Sequence, residues 1–272
     1  MIDVDRLLER IDLTLPRLPA ALEGLRIAHV SDLHVRGRRG EPGRLGRSLG
    51  SVRVDLLVLS GDQMDAPGDE PRTLAVLAEL CERARPRLGT FGVHGNHDGA
   101  EFRRAAEQLP VRWLSDRAQR LDDLPIQIAG MDVDENCNLD ALALAAQDGA
   151  GGAEAGGDSE GRALRLLLCH LPTALPMASD LGYDLMLSGH THGGQVRALP
   201  GVPVYNSMDW PLRLTSGLLR HRDTLCCVSR GLGEARPLRF RVFCPAHVPI
   251  YTLRRGSMPG RRTDGIENVR PW

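Results

Sequence analysis

Five short apolar runs in this chain each end on a residue able to bind a metal ion. Leu25–Val30 leads to Asp32 and His34, Val54–Leu59 to Asp62, and Gly89–Val93 to Asn96. Leu164–Cys169 leads to His170, and Asp184–Leu187 to His190 and His192. Apolar runs this short, bounded by Gly, Ser and Asn, predict buried strands rather than helices. Between them, Pro71–Arg85 and Ala100–Leu109 have helix composition, the first with proline at its start. A further helix ends at Gly50, and a short one covers Thr173–Asp180. Alternating strands and helices imply an α/β fold, in which ligand sites lie beyond the carboxyl ends of strands. One ligand residue at a strand end means little; five such ends constrain fold and site together.

The rest of the chain fills in the architecture. Pro125–Gly130 predicts a strand ending near Asp132 and Asp134, and Asn138–Gln147 a helix. Residues 148–161 are Gly/Ala-rich and predict a flexible surface insertion. After Gln195 the texture turns to strand, with Val202–Tyr205, Thr224–Ser229, Leu238–Phe243 and Val248–Leu253 joined by Gly/Pro turns. At the other end, Val4, Leu7, Leu8 and Ile11 have helical spacing, and Leu13, Leu15 and Leu18 then alternate like a strand. Mixed charges along this stretch favour an edge element on the core over a membrane-surface helix, whose polar face is basic. The expectation is one domain over residues 1–253, with two sheets packed face to face and helices outside. Residues 254–272, polar and Arg/Gly-rich, predict a loose tail ordered in part through Trp272.

Composition narrows the chemistry. A net charge of −1 gives no electrostatic case for a nucleic-acid partner. All 34 basic residues are arginine, which removes lysine nucleophiles and Schiff bases. Six cysteines form no C-x-x-C pair and lie mostly in apolar runs, consistent with a reducing cytoplasm. No signal-peptide pattern opens the chain, and no run approaches the ~20 apolar residues of a spanning helix.

Carboxylate, imidazole and amide oxygen together suit Mn²⁺, Fe or Zn²⁺ rather than a thiolate-rich zinc site or an all-oxygen Ca²⁺ site. Seven ligands exceed one four-coordinate ion but suffice for two ions sharing a carboxylate. Such a pair clamps a phosphate and activates water. Taken singly, each motif has a plainer reading: Asp32 as a helix cap, Gly61-Asp62 as a turn, Asn96 as a left-handed residue, His170 as a core histidine. His29, His94, His221 and His247 fall outside the pattern and are expected to be structural. Asp98 is expected to cap the helix that follows it.

Asp32-Leu33-His34, Gly61-Asp62-Gln63-Met64-Asp65, Gly95-Asn96-His97-Asp98, His170 and Gly189-His190-Thr191-His192 together resemble the five motifs of the calcineurin-like metallophosphoesterases, in that family's order. The resemblance implies a four-layer αββα sandwich of two mixed β-sheets, with a dinuclear metal site at strand C-terminal ends. It implies that Asp32, His34 and His192 bind one divalent ion, that Asn96, His170 and His190 bind the second, and that Asp62 bridges them. His97 would contact the scissile phosphate and protonate the leaving oxygen, with Asp65 hydrogen-bonded to it, and a metal-bridging hydroxide would be the nucleophile. Ala66-Pro67 and Asp98 depart from the protein-phosphatase pattern. Gly193-Gly194-Gln195, the Leu15–Pro19 and Leu25–Ile27 stretches and Ser229–Gly233 instead resemble a bacterial branch that includes UDP-diacylglucosamine hydrolases and phosphodiesterases. Many of its members are membrane-associated and begin with a spanning helix that this chain lacks.

That resemblance points to a small phosphoester substrate, lipid- or nucleotide-linked, and to a cytoplasmic protein able to touch the inner membrane peripherally. Gly193 and Gly194 are expected to clear space for substrate, and Arg230 to pair with a second phosphate. Two other readings stay open: a nuclease or cyclic-nucleotide phosphodiesterase, and a non-catalytic scaffold on the same fold. Oligomeric state is not legible in the sequence.

Overall fold

The computed structural model describes residues 7–36, 43–132, 162–236 and 239–272. Strand β1 (Leu8–Leu15) is followed by β2 (Arg26–Val30), α1 (Gly43–Gly50), β3 (Leu56–Ser60), α2 (Glu70–Ala84), β4 (Thr90–Val93) and α3 (Ala100–Ala106). Then come β5 (Val111–Trp113), β6 (Arg117–Leu121), β7 (Leu124–Met131), β8 (Leu164–Cys169), α4 (Leu175–Asp180) and β9 (Leu185–Ser188). The last part holds β10 (Arg197–Leu199), β11 (Val202–Pro203), β12 (Gly217–His221), β13 (Thr224–Val228), β14 (Val248–Arg255) and β15 (Glu267–Pro271).

One sheet has the order β1-β14-β2-β3-β4-β5 and the other β15-β12-β13-β9-β8-β7-β6. Both are mixed: β14 runs antiparallel to β2 in the first, and β12, β15 and β6 pair antiparallel in the second. The apolar runs are continuous because each strand is covered on both faces. Ile27, Leu56, Val58, Leu166, Leu168, Leu185 and Leu187 meet between the sheets. Their neighbours Ala28, Leu57 and Leu59 pack outward against Leu77 and Leu80 of α2 and Phe102 of α3. On the far side Leu167, Met186 and Cys226 pack against Leu175 and Ala178 of α4. The result is the four-layer αββα sandwich, with each buried Leu or Val contributing about 1.5–3 kcal/mol.

Several expected elements take another form. The helical spacing near Leu8 gives way to β1, because β14 offers a parallel partner from Val248 to Arg255 and Ile11, Leu13 and Leu15 face the inter-sheet core. Val4 lies outside the described residues. The strand expected over Leu238–Phe243 does not form among its described residues; Val242 makes one isolated bridge to Val196, and the arginines beside it turn inward. The stretch expected as a loose tail ends in β15, which pairs with β12, and Trp272 stacks on Tyr251. Strand β11 stops at Pro203 rather than reaching Tyr205. Asp134, the helix over 138–147 and the insertion over 148–161 lie outside the described residues.

Candidate metal centre

All five motif loops leave the same edge of the sandwich. The first sheet delivers Asp32 and His34 from β2, Asp62 from β3 and Asn96 from β4; the second delivers His170 from β8, and His190 and His192 from β9. Their side chains converge. His34 Nε2 lies 3.0 Å from His192 Nε2, which is 3.4 Å from Asp32 Oδ1. Asp62 Oδ2 sits 3.6 Å from His34 Nε2 and 3.2 Å from His170 Nε2. Asn96 Oδ1 is 3.1 Å from His190 Nδ1. Three overlapping groups result: Asp32, His34 and His192; His34, Asp62 and His97; Asp62, His170 and His190.

The backbone is shaped for this convergence. Asp32, His34, Asp62, His190 and His192 all adopt a left-handed conformation, with φ between 42° and 71°. Asp tolerates that region better than most residues, yet each instance still costs about 1 kcal/mol or more. The cost persists because flanking contacts over-determine it. The β2 and β3 loops run side by side: Asp32 N–H donates to Gly61 O, His34 N–H to Asp62 O and Val35 N–H to Gln63 O. Gly61 and Gly95 allow the approach, since a Cβ on Gly61 would lie 2.5 Å from His170 Nδ1 and one on Gly95 2.2 Å from Asp62 Oδ1.

The donor set fits a divalent cation pair. His170 Nδ1 donates to the Ser60 carbonyl at 2.8 Å, which fixes the tautomer and leaves Nε2, buried and without a hydrogen bond, facing Asp62. Two imidazole nitrogens meeting at 3.0 Å beside a carboxylate, with no thiolate among the grouped ligands, match mixed N/O ligation. Burial lowers His34 to about 4, and burial together with the Arg241 guanidinium lowers His192 to about 3, so both imidazoles are neutral at neutral pH. Burial opposes the charged forms of Asp62 and His170, but each stabilises the other, holding Asp62 well below the usual carboxylate range and His170 up at about 9.

Residues 25–194 match the sequence profile of the family described as Calcineurin-like phosphoesterase. The chain is a calcineurin-like phosphoesterase. It belongs to a family of phosphoester hydrolases that bind divalent metals. Two Bacillus subtilis relatives, the uncharacterized metallophosphoesterases YkoQ and YkuE, are 29% and 28% identical over 227 and 243 residues. These alignments cover 80% and 87% of this chain and 79% and 82% of the relatives. UDP-2,3-diacylglucosamine pyrophosphatase LpxG of Chlamydia trachomatis is 26% identical over 282 residues, 85% of this chain and 84% of LpxG.

Several side chains of the phosphoesterase do something other than the sequence suggests. The Asp65 carboxylate does not bond His97; His97 Nδ1 meets the Asp65 carbonyl at 3.0 Å, while Asp65 Oδ2 pairs with Arg239 at 3.1 Å. Asp98 is not a helix cap. Gly99 holds that position, and the buried Asp98 carboxylate accepts the amides of Gln63, Met64 and Gly95, tying the β3 and β4 loops together. Burial and the Asp62 charge raise its pKa to about 7. Arg230 turns to Glu9 at 3.1 Å and to the Pro245 carbonyl, outside the cleft lining, so it is not placed to meet a second phosphate. A Cβ on Gly193 would strike Arg230, Arg197 and Cys244, so that glycine serves packing and its φ of 64° rather than clearing space for substrate. Gly194 does line the cleft, but its Cβ would meet Pro203 and the Tyr205 carbonyl. His29, His94 and His247 pack internally, on Ser60, Trp113 and Glu9 respectively, and His221 is buried. Asp132 accepts the His94 amide and pairs with Arg103, bracing the end of β4.

The residue that sequence reasoning missed is Arg241. Its guanidinium is buried behind His192, donating to the carbonyls of Gly233, Arg230 and His192. Gln195 closes the same loop, accepting the Ala235 amide at 2.7 Å and donating to the Ala235 carbonyl.

Proposed function

We propose that this phosphoesterase hydrolyses phosphodiester or pyrophosphate bonds with two divalent cations, Mn²⁺ foremost and Fe or Zn²⁺ as alternatives, in substrates that carry an apolar or nucleotide part. The carrying observation is a cleft of about 520 Å³ with a mixed lining. It brings Asp62, Asn96, His97, His190 and His192 together with Val196, Val204 and Tyr205. Asp32, His34 and His192 would hold one cation, Asn96, His170 and His190 the second, and Asp62 both. When bound, the cations supply Lewis acidity toward a phosphoryl oxygen and lower the pKa of water, so no side-chain nucleophile is required. His97 lines the cleft with Nδ1 engaged by the Asp65 carbonyl, leaving Nε2 to deliver a proton to the leaving oxygen. Arg236, in the cleft lining, pairs with Asp65 at 3.8 Å and would exchange that contact for a phosphate oxygen.

The apolar part of that lining supports an amphipathic substrate. Val204 and Tyr205 are exposed within it, and Leu199 and Val202 are exposed on the adjoining β10–β11 hairpin. That rim suits a lipid-linked diester and peripheral contact with a membrane; no helix among the described residues is long and apolar enough to cross one. A nuclease would need a basic, aromatic trough, and Tyr205 and Arg236 are the single aromatic and arginine in the described lining. With Mn²⁺, an aryl phosphodiester is expected to turn over faster than an aryl phosphomonoester. A panel adding UDP-diacylglucosamine and nucleotide diesters then ranks substrates. Bound metal with no turnover of any of them would sink the reading and revive a scaffold role.

A further inference from the structure

A second cavity, of about 560 Å³, opens between the β10–β11 hairpin, residues 212–216 and the segment entering β15. Arg197 lines it with a side chain buried in the fold. That guanidinium donates to Gly193 O at 3.0 Å and Ser216 Oγ at 2.8 Å, and no carboxylate pairs with it among the described residues. A buried cation without a counter-ion is costly. Arg213 and Arg261 add two positive charges to the lining, against the Glu267 side chain and the Trp272 α-carboxylate, which accepts from Ser216 Oγ at 3.1 Å. Trp272 also lines the cavity, with its indole packed inward on His247 and Tyr251. Three arginines against two carboxylates leave the lining net positive. A phosphate group matches that sign and the fork geometry of arginine, while Leu212 and Ile266 suit an apolar part.

The cavity is mechanically joined to the metal loop. Thr215, in its lining, accepts a hydrogen bond from Thr191 Oγ1, and Arg197 holds the Gly193 carbonyl. These two contacts grip the residues on either side of His192. We propose that this cavity binds a small phosphate-bearing organic anion, and that its occupancy is coupled to the placement of His192. The site is separate from the cleft and takes its ligand whatever bond the cleft hydrolyses.

Phenylphosphonate, which has no ester to cleave, is the probe for titration calorimetry on the full chain loaded with Mn²⁺. Two classes of site are expected. Arg261→Ala, at an exposed position, should weaken one class about tenfold, the loss of one charge-assisted contact. Arg197→Met should weaken that same class, and Asp62→Asn should remove only the other. If Arg197→Met fails to fold, Arg261→Ala decides alone. A single class lost with Asp62→Asn, or both classes unchanged in Arg261→Ala, overturns the site. For the coupling, the Arg261-dependent class should bind phenylphosphonate with about fivefold different affinity in the Mn²⁺-loaded and the metal-free chain. Equal affinities overturn the coupling.

Discussion

The two halves of the candidate metal centre meet solvent differently. Asp32, His34 and His192 are all buried, and the loop carrying Gly231 and Gly233 lies directly against them: a Cβ there would stand 2.6 Å from the Asp32 Cβ or 2.8 Å from the His34 Cβ. Arg241 seals the back. On the other side Asn96 is exposed and His190 partly so, and both line the cleft. One half is built like a structural site, with every position fixed by packing. The other opens to the cleft through Asn96 and His190, while its third candidate ligand, His170, is fully buried behind them. Asp62 and His97 stand at the border between them.

That contrast can be broken at its centre first. Asp62→Ala should empty or scramble both halves, lowering metal affinity by more than the roughly 10–100-fold that outer contacts cost. Elemental analysis that still finds two metals at wild-type turnover would refute the bridging role. His97→Ala should keep metal content near normal while turnover of an aryl phosphodiester falls about 10²–10⁴-fold; full metal loss would make His97 a ligand instead. Arg241→Met should weaken the buried half alone by about 10–100-fold, whereas Asn96→Ala should weaken only the open half. Stoichiometric Mn²⁺ titration separates the two, and equal losses in both variants would erase the distinction. The smallest effect concerns packing: Gly193→Ala should lower stability by about 1–3 kcal/mol in thermal unfolding. An unchanged midpoint would return that glycine to a substrate role.

The candidate ligands were legible because each sits one to five residues after an apolar run, and strands in an α/β sandwich all present that end to one edge. Their supporting shell was not. Asp98 reads as a helix cap because it precedes α3, but three amides from two other loops claim its carboxylate. Arg241 is one of 34 arginines, and nothing in Phe240-Arg241-Val242 marks it as the one folded behind His192. The Phe/Val alternation there suggests a strand, yet the loop gains more from burying that guanidinium against carbonyl oxygens. Strand β1 was obscured for a related reason. Leu7, Leu8 and Ile11 fit helical spacing as well as a strand, and only a partner far along the chain decides between them.

That partner sets an order on how the molecule can be made. β1 pairs with β14 residue for residue from Leu8–Val248 to Leu15–Arg255. A chain emerging from a ribosome completes β2 through β9, and so every proposed ligand, before the second strand of that pair exists. Until residue 255 appears, Ile11, Leu13 and Leu15 have no lateral partner, and β2 lacks its neighbour on that side. Contacts at such sequence separation are slow to form, and unpaired strand edges invite association with other chains. Closing the first sheet is therefore expected to be the late step of folding, one that truncation before β14 would abolish with all the ligands still encoded.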